Sequence, residues 1–148
     1  MRSHWLWIGS LLISAGAGAG VTPEQHVTRI QKVVDDLKSR LSIAAQVTVT
    51  IVPENARLVS VEPAGRGTFS LTVEAGFADA LDDDELGAVI AHELGHVWIF
   101  THHPFLHTER LANDVAMRVV TRESLQKVYG KVWERAGAKG DLAQFLGQ

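Results

Sequence analysis

The spacing of apolar and polar positions divides this chain into a helical start, a β-rich middle and a helical second half. Thr22-Pro23-Glu24-Gln25 supplies an N-cap, a proline at the first helical position and a glutamine at capping-box spacing. Val27, Ile30, Val33, Val34 and Leu37 then recur at helical period, which predicts a helix through about Leu41 with these residues inward. Val47 to Val52 alternates with β-branched residues and reads as a strand, broken by Pro53-Glu54-Asn55. Arg57 to Val61 is expected as a second short strand and Pro63 to Gly67 as a turn. Phe69, Leu71 and Val73 then alternate with Ser70, Thr72 and Glu74 as a further strand.

From Asp82-Asp83-Asp84-Glu85, an acidic helix start, the period lengthens again: Leu86, Ile90, Leu94 and Val97 predict a helix to about Thr101, where His103-Pro104 makes continuation unfavourable. A second helix is expected from about Phe105 or Thr108 to Val120. A third comes after Thr121 and carries Leu125, Val128, Tyr129 and Val132, with Trp133 beside them. Gly137 and Gly140 mark a loose end before a short C-terminal segment. The expected class is α+β: a small mixed sheet packed on helices.

Met1 to about Gly20 reads differently. Arg2 gives a positive start, Trp5 to Ile13 is nearly continuous apolar sequence, and Ala15 to Ala19 offers small residues at A-x-A spacing. This is the pattern of a secretory signal peptide over residues 1–20, leaving one domain over residues 21–148. Left uncleaved, the same segment would be a membrane anchor, which is the one membrane association expected. The implied location is periplasmic or secreted, and with no cysteine the domain rests on its core without disulfides. A length of 148 residues with 46% hydrophobic content suits a single core. Net charge is -3 with no basic block, so no nucleic-acid partner is expected.

The candidate chemistry lies in the second half. His92-Glu93-Leu94-Gly95-His96 puts two imidazoles at i and i+4 on one face of the predicted helix, where both can hold one metal ion, with Glu93 beside the open position as general base. Leu86, Ile90, Leu94 and Val97 fall on a different face, so this helix is expected to bury one side and present the other. The implied cofactor is one Zn²⁺ per chain and the implied chemistry is hydrolysis of a peptide bond.

A catalytic zinc normally takes a third protein ligand. His102 stands ten residues after His92, but Ile99 gives the helix no reason to turn there, and a continuing helix carries His102 about 9 Å beyond His96. Glu109 fits better. If the chain reverses between Thr101 and Pro104, His96 and Glu109 lie nearly level in an antiparallel helix pair, within reach of one ion at an interaxial distance of about 8–10 Å. His102, His103 and His107 remain the other candidates, and a plain helix-dipole role remains open for Glu109.

Leu81 to His96 resembles the active-site helix of the HtpX and CAAX prenyl protease family of metallopeptidases. Asn55-Ala56 is similar to that family's Asn-Ala element, Leu71 to Phe77 to its edge strand and following glycine, and Glu109 to Ala116 to its E-x-x-A-D-x-x-A helix. The resemblance covers about Val47 to Ala116. It implies a zincin-like fold, Glu109 as the third zinc ligand and a polypeptide substrate, including unfolded protein. Two departures stand out. Only twelve residues separate His96 from Glu109, and the family aspartate that orients a ligand histidine falls on Asn113, an acceptor without charge. The Phe69 to Val73 strand is expected to pair with an extended substrate. His102, His103, His107, Arg118 and Tyr129 are the candidate donors to the oxyanion. The rival reading is a noncatalytic zinc-stabilised peptide-binding or chaperone module, against which intact Glu93 argues.

Overall fold

The computed structural model describes residues 20–148, so the signal-peptide reading falls, Gly20 apart, outside the described residues. Helix α1, Pro23–Arg40, opens on the expected capping box: the Thr22 hydroxyl accepts from the Gln25 amide and the Gln25 side chain accepts from the Thr22 amide. Its Ile30, Val34 and Leu37 are buried in the core. Three strands make one sheet in the order β1-β3-β2, with β1 Gln46–Val52, β2 Val59–Gly65 and β3 Thr68–Glu74. β1 runs parallel to β3, and β2 pairs antiparallel with β3 through a tight Arg66-Gly67 hairpin in which Gly67 takes φ +67°.

This order corrects two expectations. The Phe69 to Val73 strand is central, hydrogen-bonded on both sides, and so has no free edge for a substrate. The free edge on the hairpin side belongs to β2, which runs on through Pro63, a residue expected in a turn. A proline lacks the N–H a central strand must donate, and an edge strand tolerates it; a register shift between Pro63 and Gly65 accommodates it here.

Helix α2, Ala75–Ala80, was not legible from periodicity. It is set by the Glu74 carboxylate, which caps the Phe77 amide at 2.8 Å and receives both contacts of Arg135 at 3.0 Å. Helix α3, Asp83–His102, runs its predicted length and passes Ile99 without a break. It is not one-sided: Leu86, Ala88, Val89, Ile90, Ala91, Leu94, Val97 and Ile99 are all buried, because the sheet, α1 and the later helices surround it. Full burial of a side chain such as Ile90 or Leu94 contributes about 2–3 kcal/mol, so this helix is the axis of the core.

After the 3-10 turn Pro104–Leu106 comes α4, Glu109–Ala116, shorter than expected. Beyond it the Arg118 and Val119 amides bond three residues back and the Val120 amide four, and the chain leads to Thr121, the N-cap of α5, Arg122–Ala136. The tail is not loose. Gly137 closes α5 in the left-handed conformation, and a further helix α6, Leu142–Leu146, packs on α4 and α5 with Leu146 buried. Among the described residues no helix is long and apolar enough to cross a membrane.

Candidate metal centre

The start of α3 is fixed in place. Asp82 accepts from the Glu85 amide at 2.8 Å, Glu85 returns the contact at 2.9 Å, and the buried Glu85 carboxylate is also paired with Lys131 of α5. Two turns on, His92 and His96 leave the helix on the side facing α4. α4 can lie close because Gly95 has no side chain: a Cβ there would run into the Ala112 carbonyl. The Thr108 hydroxyl caps α4 through the Leu111 amide at 3.1 Å and brings Glu109 to its first turn.

Three donors converge as a result. His92 Nε2 is 3.1 Å from Glu109 Oε2, His96 Nε2 is 3.3 Å from Glu109 Oε1, and the two Nε2 atoms are 3.1 Å apart. A tetrahedral ion with ligands at about 2.0–2.1 Å holds neighbouring donors about 3.3–3.4 Å apart, so the residues present fit a zinc-type ion. Their electrostatics agree. Glu109 is held well below the usual carboxylate range, chiefly by hydrogen bonds from His92 and then His96. Burial alone would push His92 down, but the Glu109 hydrogen bond, the charge of Glu93 and the contact with Asn113 outweigh it and hold His92 above its ordinary value. The cluster attracts positive charge to the point between its three members.

Neighbouring side chains orient the imidazoles. Asn113 Oδ1 meets His92 Nδ1 at 2.7 Å, and His107 Nε2 meets His96 Nδ1 at 2.6 Å. When the rings are neutral and donate Nδ1–H outward, Nε2 is left with its lone pair toward the point shared with Glu109, as holding a metal ion there would require. A proton on Nε2 is what lets the same atoms donate to Glu109 without an ion. His107 is held below the ordinary histidine value by partial burial and by His96, which suits an acceptor.

A cavity of about 510 Å³ opens on these atoms. Glu93 lines it and is itself buried; burial pushes its carboxyl up, against the charges of His92 and His96 and the Val61 backbone amide. Val59, Ser60 and Val61 of β2 form one wall, and Phe77, Val89, Leu125, Val128 and Val132 give the cavity an apolar side. Asn55 sets the loop before β2: its Oδ1 accepts from the Arg57 amide at 3.0 Å and its Nδ2 donates to Ser60 Oγ at 3.2 Å.

The other candidates separate cleanly. His102 is stacked on Trp98, with a ring-centroid distance of 4.3 Å and its Nδ1 on the Trp98 carbonyl. His103 and Arg118 also gather on Trp98. Of the five proposed oxyanion donors, only His107 and Tyr129 line the cavity. Sequence reasoning missed the role of Gly95 and the β2 wall; Pro63 carried the signal for the second.

Residues 24–146 match Peptidase family M48. A protease HtpX homolog of Gemmatimonas aurantiaca is 31% identical over 97 residues, which are 66% of this chain and 34% of that protein. The chain thus spans about a third of that relative's length. The crystal structure of the metallopeptidase zymogen of Pyrococcus abyssi abylysin is similar in fold, with a TM-score of 0.55 over 76% of this chain and 99% of that one at 16% identity. The extent of the family match and the HtpX relative agree with the resemblance read from the α3 motif: the chain belongs to peptidase family M48.

Proposed function

We propose that this chain is a zinc-dependent endopeptidase acting on extended or unfolded polypeptide. The observation that carries the reading is the convergence of His92, His96 and Glu109 at tetrahedral donor spacing beside buried Glu93. A divalent ion held there supplies a Lewis acid and makes water easier to deprotonate at neutral pH.

The chain's own groups do the rest. The free edge of β2 offers backbone N–H and C=O groups to an extended peptide, whose neighbouring side chain enters the apolar side of the cavity between Phe77, Val89 and Leu125. Glu93, with its affinity for a proton raised by burial, takes a proton from water and passes it to the leaving amine. Tyr129, whose pKa is pushed up to about 12 chiefly by burial, stays a hydroxyl donor at neutral pH; with His107 it faces the negative charge that develops on the scissile carbonyl. A periplasmic or secreted setting rests on the signal-like N-terminus, and a part in envelope protein quality control on analogy with exported relatives of the family; both belong to the same proposal.

The test is Glu93→Gln. It should keep one zinc per chain while cutting casein turnover by at least 100-fold; unchanged turnover would show that Glu93 is not the base. The competing reading of a noncatalytic peptide-binding module predicts a wild-type protein that binds zinc and unfolded chains and never cuts them.

A further inference from the structure

Asn113 is fully buried at the centre of α4, and both ends of its amide are engaged, with both Nδ2 hydrogens donated. Its Nδ2 donates to the Phe145 carbonyl at 2.9 Å and to the Tyr129 hydroxyl at 2.8 Å, while Oδ1 faces His92 Nδ1. The Phe145 carbonyl can only accept, so it dictates which end of the amide points at α6. That choice dictates the other end: Oδ1 must face His92 and can only accept, so the proton of a neutral His92 sits on Nδ1 and the Nε2 lone pair is free. Phe145 also stacks on Tyr129, at 5.4 Å and 25°, and the Tyr129 ring stands edge-on to His92 at 6.1 Å. α6 is seated by buried Leu146 and by Arg122, which donates to the Leu146 and Gly147 carbonyls.

We propose that docking of the C-terminal helix α6 and metal binding at His92 are coupled through the Asn113 amide, so that α6 is a positioning element of the site. This rests on the reading of His92 as a ligand. It also gives the departure from aspartate at position 113 a physical reason. A carboxylate would accept from His92 and strengthen it as a ligand, but it has no hydrogen to give the Phe145 carbonyl and would leave that carbonyl unpaired. The amide gives up charge at the histidine and gains the tie to α6. Because coupling between two sites is reciprocal, zinc must hold α6 down as strongly as α6 supports zinc.

The experiment uses the full chain with and without zinc, reading zinc affinity by chelator competition and hydrogen exchange over residues 142–147. In the wild type, zinc should slow exchange of α6. Asn113→Ala should weaken zinc by about 10–100-fold and leave α6 exchange insensitive to what zinc still binds. Asn113→Asp should keep zinc to within a few-fold yet exchange fast in α6 whether zinc is present or absent. Arg122→Gln, at a residue that bonds the Leu146 and Gly147 carbonyls and does not line the cavity, should loosen α6 and weaken zinc several-fold while the circular dichroism of the rest is retained. Zinc bound stoichiometrically by the wild type with no change in α6 exchange would overturn the coupling and spare the ligand reading. A wild type that binds no zinc would sink both.

Discussion

In the proposed site each histidine owes its direction to a neutral acceptor: Asn113 for His92 and His107 for His96. A histidine whose outer N–H loses its partner can flip or change tautomer, and such partners are commonly worth about 10–100-fold in metal affinity. His107→Ala should therefore weaken zinc by about 10–100-fold, and His107→Gln, which restores an acceptor, should recover most of the loss. Equal affinity in the alanine variant, measured by chelator competition, would show that His96 needs no support from His107. At the third corner, Glu109→Ala should abolish stoichiometric zinc and His102→Ala should leave it intact, since His102 lies on Trp98. The residues of the H-E-x-x-H segment were legible because i, i+4 spacing is a property of the helix alone. Glu109 was legible because a short reversal leaves it few places to go. The role of His107 was less so, since it depends on which loop comes to rest beside His96, whereas the contact of Asn113 with a histidine was implied by the family resemblance and only its tie to the distant Phe145 carbonyl was not.

At the level of elements, the crossing of α3 and α4 brings the ligands together, and Gly95 sets how close they come. Replacing glycine by alanine inside a helix ordinarily gains about 1 kcal/mol, whereas forcing a methyl group into a closed contact costs about 1–3 kcal/mol. Here the obstacle is the Ala112 backbone, which yields only by moving α4. Gly95→Ala should thus change the unfolding temperature by only a few degrees yet weaken zinc by at least tenfold; undiminished zinc affinity would show that the close approach is not needed. On the other flank, α5 holds the start of α3 through Asp84, whose carboxylate is kept below its ordinary pKa chiefly by the Ser124 hydroxyl at 2.8 Å and further by Lys127. A depressed carboxylate pKa contributes stability above the unfolded-state pKa and loses it as pH falls through the folded-state value. The gap in unfolding temperature between wild type and Asp84→Asn should therefore be steady from neutral pH to about 5 and close below about 4. A gap that persists in acid would assign the loss to packing. Capped helices were visible in the sequence because their signals are local, as at Thr22, Asp82 and Thr121. The strand order was not: β2 and β3 carry similar alternation, and what distinguishes edge from centre is the partner each meets.

Across the whole molecule, the candidate site joins two parts of unequal burial. α3 is enclosed by the core, while residues 100–110, which bring Glu109 to it, are exposed throughout, with Phe105 97% exposed. Little apolar burial holds that crossing segment down, so it belongs to the part of the fold expected to open first. An ion shared by α3 and α4, as proposed, would close the twelve-residue span between His96 and Glu109 and would bind only the closed form. With free zinc at 100 times its dissociation constant, linkage adds about 2.7 kcal/mol, which for a chain of this size is about 10 °C in unfolding temperature. Chelation should remove that increment, and the loss should be uneven. Hydrogen exchange should accelerate first over residues 103–116 and, through Asn113, in α6, while β1, β3 and α1 keep their protection because their burial owes nothing to Glu109. Uniform acceleration along the chain would mean that the ion stabilises the fold only as a unit. No change on chelation would mean that the three donors stand together without needing an ion between them.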